Sequence, residues 1–374
     1  MTQTETPSGR RGEGVIEVLP DGFGFLRDPE HSFLPGPDDV YVSPSQIRRF
    51  NLRNGDCVRG VVREPKDNER YLALVKVESI NGADADQARE KVPFEELTPL
   101  QASEPYTLET SDATTRILDL VAPLGRGQRG LLLAPPRSGR TRVLCALVEG
   151  IAANHPAAER VLLLVGARPE DLEELFATAS AQVLGSSFDE SAQRHLSVAE
   201  MALARVQRLV EHGRDVVLVV DSLNALCRAQ NHLGQGTSKT LPGGLEPSAL
   251  SAAKRILASA RNVEEGGSLT VVASLLVGTG SRLDEVVAEE FCETATWEVL
   301  LDAGLAARGD YPAIDLGSSA NYRLDQVVGE DHAVRLQALR LAVDDTPALR
   351  RQLGVTRNNA ALLGALDKRA AAGN

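Results

Sequence analysis

At 374 residues, 43% hydrophobic and 25% charged, the chain has the apolar material for two or three cored domains, and no apolar run approaches the roughly 18 residues of a membrane span. A formal net charge of −12 excludes a general polyanion-binding surface, and residues 1–80 are no exception, with 11 Lys/Arg against 13 Asp/Glu. Nucleic acid would have to be held by stacking and a few placed cations. Cys57, Cys145, Cys227 and Cys292 are widely separated, without ligand spacing for zinc, which points to a reducing cytoplasm rather than a disulfide framework.

In chain order, residues 1–12 are polar, lack the apolar core of a signal peptide, and are expected to be a disordered leader. GVIEVLP, GFGFLRD, DDVYVSP, DCVRGVVREP and RYLALVKVESI are short β-rich runs separated by turn signals such as Pro20-Asp21-Gly22 and Asn54-Gly55-Asp56. Residues 13–80 are therefore expected to form a small Greek-key barrel of the OB, or cold-shock-like, type. Residues 81–114 are polar and read as a connector. From 115 to 374, RGLLLAPP, RVLLLVG, DVVLVVDS and SLTVVASLL look like buried parallel strands alternating with helices. A helical tail follows from about Asp325. The fold class expected is multidomain: the barrel, then a RecA-like P-loop α/β domain with C-terminal helices.

In the barrel, Phe23 and Phe25 alternate along GFGFLR, with Tyr41 and Tyr71 nearby in sequence pattern. Such rings could be barrel core. The interleaved Gly22 and Gly24 and the charges of Arg27, Arg70 and Lys76 favour instead an exposed platform on which unstacked bases lie.

In the second domain, LLLAPPRSGRTRVL places Ala134, Pro135, Pro136, Arg137, Ser138, Gly139, Arg140 and Thr141 on the eight positions of the Walker A pattern G-x-x-x-x-G-K-[ST]. The first glycine is Ala and the lysine is Arg, a planar fork in place of a compact point charge. Ground-state phosphate binding should survive this better than the geometry of phosphoryl transfer. Thr141 is placed to hold Mg²⁺. The strand ending in Asp221 reads as a Walker B strand whose carboxylate would lie near that ion, although a capping Asp on a buried strand would look the same.

These strings carry a resemblance. DGFGFLR, GPDDVYVSPSQIRRFNLRNGD, ERYLALVKV, PLGRGQRGLL, ARNVEEGGSLT and TGSRLDEVV are similar to strings of the bacterial transcription termination factor Rho family, over about Gly12 to Asp315. An Ala-Pro-Pro start to the loop is normal in that family, and its N-terminal helical subdomain is expected to be absent. The resemblance implies a hexameric, RNA-dependent ATPase and translocase. It assigns Phe23, Phe25, Arg27, Asp39, Tyr41, Glu69, Arg70 and Tyr71 to a site for pyrimidine-rich single-stranded RNA. Ser238-Lys239 with Gly243-Gly244, and Gly278 to Arg282, would be two RNA-gripping loops of the ring channel, with Pro242 in place of a more flexible residue and Arg282 in place of a lysine. Pro136 to Thr141 would hold ATP, and Tyr311 would stack on adenine.

The same resemblance marks losses. The family follows the strand matching VLLLV with Asp-Glu-Arg-Pro, whose glutamate orients the attacking water; here stand Gly166-Ala167-Arg168-Pro169. The two arginine-finger positions hold Gly309 and Tyr322, with Arg308 and Arg323 each one residue away, and Glu170 is a candidate substitute carboxylate. The expectation is a Rho-like termination factor that binds nascent RNA and ATP with Mg²⁺, with Asp221, Arg308 and Arg323 left for catalysis and with hydrolysis and translocation impaired. The alternative is a hydrolysis-deficient paralogue that regulates by occupying RNA or an active ring. A cold-shock-like RNA chaperone is a third reading. A homohexamer or a mixed ring, contact with RNA polymerase, a cytoplasmic location and no membrane partner complete the expectations.

Overall fold

The structure, a computed structural model, describes residues 10–67, 69–89, 92–234 and 240–371. Two compact units divide it: residues up to Leu97 together with Ser197–His212, and Thr98–Leu196 together with the residues from Gly213 on.

In the first unit, the alternation of apolar and polar residues builds β1 (Arg11–Val18), β2 (Gly24–Arg27), β3 (Val40–Val42), β4 (Cys57–Arg63) and β5 (Leu72–Ile80). They pair in the order β3-β2-β1-β4-β5, and β3 returns to β5 through Val40↔Leu72 and Tyr41↔Ala73, which closes the sheet into the expected five-stranded barrel. Ile16, Leu26, Val42, Val58, Leu74 and Ile80 fill it. The first strand begins at Arg11, two residues inside the expected leader, because β1 needs that length to reach Val61 on β4.

A helix the strand pattern did not anticipate, α1 (Pro44–Phe50), follows β3. Its signal was present: Ser43 accepts from the Gln46 amide while the Gln46 side chain accepts from the Ser43 amide, a capping box with Pro at the first helical position. The expected connector is not featureless, for it carries β6 (Ala83–Asp84) antiparallel to β5 and, in the second unit, β7 (Pro99–Leu100). Gly55, at φ +89°, is required where the turn approaches Ala204; a Cβ there would lie 2.3 Å from the Ala204 carbonyl carbon.

The second unit starts its regular structure at α2 (Ala113–Val121), then β8 (Arg129–Ala134), α3 (Arg140–Asn154), β9 (Glu159–Ala167), α4 (Pro169–Thr178) and β10 (Gln182–Ser187). Next come α5 (Ala192–Glu211), which runs into the segment grouped with the first unit, β11 (Asp215–Asp221), α6 (Leu223–His232), α7 (Ser251–Ala258), β12 (Arg261–Val263), β13 (Ser268–Leu276) and α8 (Arg282–Cys292). The chain continues through β14 (Trp297–Leu300), α9 (Ala303–Ala307), β15 (Ala320–Asn321), α10 (Leu324–Val328), α11 (Glu330–Ala342), α12 (Thr346–Gly354) and α13 (Asn359–Ala371).

The main path of the sheet is β10-β9-β11-β13-β8-β14-β15, parallel from β10 to β14 and antiparallel at the β15 edge, with β12 joined antiparallel to β13 and to β7 off that path. Such strands are buried on both faces, which is why Val216–Val220 and Leu269–Leu275 read as near-continuous apolar runs. Consecutive strands β8 and β9 are not neighbours: β13 and β11 lie between them, as in a doubly wound sheet.

A half-buried carboxyl gives this unit a pH signature. Asp119 accepts from the Leu108 and Glu109 amides, yet burial raises its pKa to about 7. A carboxyl whose pKa rises on folding adds stability below its unfolded value near 4, and that stability is lost as pH climbs toward 7. The Tm of the wild-type chain is therefore expected to carry a component that falls between pH 4 and 7. Asp119→Asn should remove it in melts across that range; an unchanged pH profile would refute the assignment.

Candidate functional site

On the barrel, β2, β3 and the residues leading into β2 and β5 bring the four expected rings together. Phe25 lies 4.9 Å from Tyr71 and 5.8 Å from Phe23, edge-on in both cases, and 6.1 Å from Tyr41; Phe23 and Tyr41 are 5.8 Å apart. All four are half-buried, so their edges lock one another while part of each ring stays open. The local reason differs from the sequence reading in two respects. Phe23 lies one residue ahead of β2, in the turn where its carbonyl accepts from the Leu19 amide. Gly24 does not clear the ring face; it lets β2 approach β1, since a Cβ there would meet the Glu17 carbonyl oxygen at 2.6 Å. Phe25→Ala is expected to weaken oligo(C) binding roughly 5- to 150-fold, the about 1–3 kcal/mol of one stacked base, read by fluorescence anisotropy.

Arg27 and Asp39 lie beneath this surface rather than on it. Arg27 is only 5% exposed, as is Asp39, and its guanidinium is ion-paired to Asp39 and to Glu17 at 2.6 Å, with the charge 4.9 Å from the Phe25 ring centre. Asp39 also accepts from the Gly36 amide at 2.8 Å. The physical reason is that a fork with five donors needs several acceptors when buried, and Glu17, not singled out from sequence, supplies one. Glu69 and Arg70 are exposed. Glu69 takes both Arg63 nitrogens, at 2.6 and 2.8 Å, and that contact, with the Lys66 amide, holds its carboxyl down at about 2.

In the second unit, β8 ends at Ala134, the loop turns at Arg137 (φ +63°) and Gly139 (φ +85°), and α3 begins at Arg140. Buried Ser138 donates to the Pro135 carbonyl at 2.7 Å, bracing the turn. The first amides of α3 and its dipole then face the loop mouth, an anion-binding arrangement. β11 delivers Asp221 to the same place. Its carboxylate is 6% exposed and accepts from Thr141 Oγ1 at 3.1 Å and from Ser274 Oγ at 2.8 Å. Arg140 Nε lies 2.8 Å from Asp221 Oδ1 without hydrogen-bond alignment, so the substituted cation is held by charge against the Walker B carboxylate. Pro136 and Arg137 are exposed at the loop tip. Tyr311 covers Gly139, where a Cβ would lie 3.1 Å from the ring.

The positions expected from the resemblance to serve catalysis lie apart from one another in sequence. Ala167 ends β9 beside β11, whose Asp221 pairs in register with Leu164. Of the nearest acidic residues in sequence, Asp171 is forked by Arg168 at 2.8 and 2.9 Å, and Glu170 is 70% exposed, 3.9 Å from that same arginine. Gly309 (φ +77°) follows α9; Arg308 is exposed and lies 3.3 Å from Asp310. Tyr322 donates to Glu298 at 3.0 Å. Arg323 is exposed and has no ion-pair partner among the described residues, which separates it from Arg308.

Of the residues expected in the two RNA-gripping loops, Lys239 and Ser238 lie outside the described residues. Gly243 and Gly244 have φ of +79° and +75°, and a Cβ on Gly243 would lie 2.7 Å from the Leu283 amide, so the end of the first loop packs on the start of α8. Arg282, at that start, pairs with Glu285 at 2.9 Å. Asp284, 1% exposed and not anticipated, anchors the second loop: it accepts from Thr279 and Asn224, both at 2.8 Å, and pairs with Arg228.

A closed OB-type barrel with a clustered ring surface, joined to a parallel sheet carrying a P-loop and a Walker B strand, defines an RNA-binding, P-loop nucleotide-binding protein. Comparison with known proteins agrees: the family model "Rho termination factor, RNA-binding domain" matches residues 12–86, and "ATP synthase alpha/beta family, nucleotide-binding domain" matches residues 114–321. The chain is 46% identical over 366 residues to transcription termination factor Rho of Chromobacterium violaceum, covering 95% of this chain and 88% of that protein. Identity is 47% over 334 residues to Rho of Cereibacter sphaeroides (88% and 79% covered) and 46% over 334 residues to Rho of Escherichia coli K12 (88% and 80% covered). The chain belongs to the transcription termination factor Rho family. A solved ATPase of a type III secretion system of pathogenic bacteria is similar in fold, with TM-score 0.60 at 20% identity over 72% of this chain and 86% of that one.

Proposed function

We propose that this Rho-family chain binds pyrimidine-rich single-stranded RNA on the barrel rings and ATP with Mg²⁺ at the P-loop, and acts in transcription termination with hydrolysis and translocation impaired. The observation that supports the impairment is the end of β9: Ala167, three residues past the Leu164 that pairs with Asp221, carries no carboxylate, and the acidic side chains that follow it are engaged by Arg168 or exposed. Nucleotide binding asks less of the protein, since loop amides, Arg140 and Thr141 suffice to hold phosphates in the ground state. Thr141 Oγ1 and the Asp221 carboxylate, 3.1 Å apart, are hard oxygen donors of the kind Mg²⁺ takes alongside phosphate oxygens. When bound, the ion would neutralise charge on the phosphates. For that to happen Arg140 must leave Asp221 and turn to the phosphates, a move from one anion to another.

Arg323, exposed and unpaired among the described residues, is the arginine we assign to reach a neighbouring subunit's nucleotide in a homohexamer or mixed ring; Arg308, drawn to Asp310, is the weaker candidate. Action on an RNA polymerase complex and a cytoplasmic location follow from the same family reading; among the described residues no helix is long and apolar enough to cross a membrane. The replacements at Ala167, Gly309 and Tyr322 serve one reaction, and that coordination favours a second reading, a regulator that enters rings of an active relative.

Binding of oligo(C) and of a fluorescent ATP analogue, measured on one preparation, tests the main reading. Failure of both to bind would reject it. The second is tested by mixing the chain with the Escherichia coli relative in equimolar subunits: lowered turnover of that partner supports it, and unaltered turnover rejects it.

A further inference from the structure

The protein itself engages both oxygens of the Walker B carboxylate. Asp221 Oδ1 accepts from Ser274 Oγ at 2.8 Å and lies 2.8 Å from Arg140 Nε, while Oδ2 accepts from Thr141 Oγ1 at 3.1 Å. At 6% exposure Asp221 is too deep for solvent to balance its charge, and its ion-pair partner among the described residues is Arg140. Arg140 thus supplies the positive charge that a divalent ion held by Thr141 and Asp221 would otherwise bring. Its Nε is buried without an aligned acceptor. The contact is therefore one of charge, and it can be released once another cation balances Asp221.

We propose that Arg140 is a metal-dependent phosphate ligand, which leaves Asp221 for the nucleotide only when a divalent cation takes over the carboxylate. The proposal rests on the nucleotide-site reading above and extends it to the coupling between metal and nucleotide. A guanidinium has five donors but a single charge. If Arg140 turned to a phosphate alone, it would leave a buried carboxylate unpaired close to a second anion, and breaking a buried pair by removing one partner is strongly unfavourable. With a cation on Thr141 and Asp221, both anions stay balanced and the move costs little. Without it, the phosphates are left to the loop amides and the dipole of α3. Ser274, fully buried on β13, is the positioning residue that keeps Oδ1 engaged through the exchange.

The test is the dissociation constant of a fluorescent ribose-labelled ADP on the full chain, measured in Mg²⁺ and in EDTA. Mg²⁺ is expected to tighten binding by on the order of 10²-fold or more, because a buried pair need not be broken. Arg140→Met should weaken binding in Mg²⁺ roughly 10- to 150-fold, the range of a hydrogen bond to a charged group, and much less in EDTA, so that the advantage of the metal shrinks by that factor. Asp221→Asn keeps the shape of the side chain and should tighten binding in EDTA about tenfold or more by setting Arg140 free. Adding Arg140→Met should abolish that gain; a gain that persists would come from relief of repulsion alone and overturns the proposal. Equal weakening by Arg140→Met in Mg²⁺ and in EDTA overturns it too, while the nucleotide site stands. Should Asp221→Asn shift the Trp297 fluorescence transition in urea, the Arg140→Met ratio decides alone. No binding of the labelled nucleotide by the wild type in Mg²⁺ overturns both readings.

Discussion

Poly(C)-stimulated ATP turnover by the purified chain is expected to run about 10²–10⁴-fold below that of the Escherichia coli relative, the usual contribution of a residue positioned for general-base work. The loss should appear in kcat, because the missing carboxylate would act on the attacking water and not on bound nucleotide. An arginine finger is worth about 10³–10⁵, and on the proposed reading two such positions hold Gly309 and Tyr322. These losses will not multiply, because parts of one constellation fail together. It follows that Ala167→Glu alone should restore little, and that Ala167→Glu with Tyr322→Arg should restore more than the two single variants combined. Tyr322 donates to Glu298 and is 60% exposed, so the arginine can be accommodated at the surface. Phosphate release with and without poly(C) is the measurement. Turnover matching the relative would mean that Glu170, Arg323 or another group completes the site, and the impaired reading would fall.

Arg27→Met is expected to destabilise the barrel by about 3–5 kcal/mol, the cost of leaving a buried ion pair without one partner. Here the partner left behind is Asp39, 5% exposed, and with it the partly covered Glu17. RNA binding should fall as a consequence, because the guanidinium supports Phe25 from one side. The two units make the effect separable. Trp297 is the single tryptophan and lies in the α/β unit, so its fluorescence transition in urea should hold its midpoint while the barrel's far-UV transition moves to lower denaturant. Arg27→Lys should recover little, since an ammonium cannot match a fork held between two carboxylates. If Arg27→Met melted like the wild type and lost RNA affinity alone, the arginine would be a direct RNA contact and the ion pairs incidental.

Much of this molecule was legible in its residues because the signals were local. The parallel strands announced themselves as apolar runs such as Val216–Val220, since both faces of that sheet must be covered. The Gly139 turn, Thr141 and Asp221 could be placed because a phosphate loop needs a fixed spacing after a strand. The four barrel rings were expected together, and they are within 4.9–6.1 Å of one another where paired.

What composition and spacing could not reveal were relations between residues far apart in the chain. Arg27 looks like a surface cation until β1 and β3 bring Glu17 and Asp39 to it and bury all but the ring above. Arg140 looks like a replacement for the phosphate lysine, and only the order of β8, β13 and β11 in the sheet sets it against Asp221, 81 positions later. Gly24 reads as a spacer between aromatic residues, whereas its lack of a side chain is demanded by the neighbouring strand. Arg142 and Arg350 carry no motif at all; a cavity between α2, α3 and α12 makes them neighbours. Local sequence decides which backbone conformation a segment prefers, but burial, ion pairing and cavities belong to packing, and packing is settled only when the strands take their order.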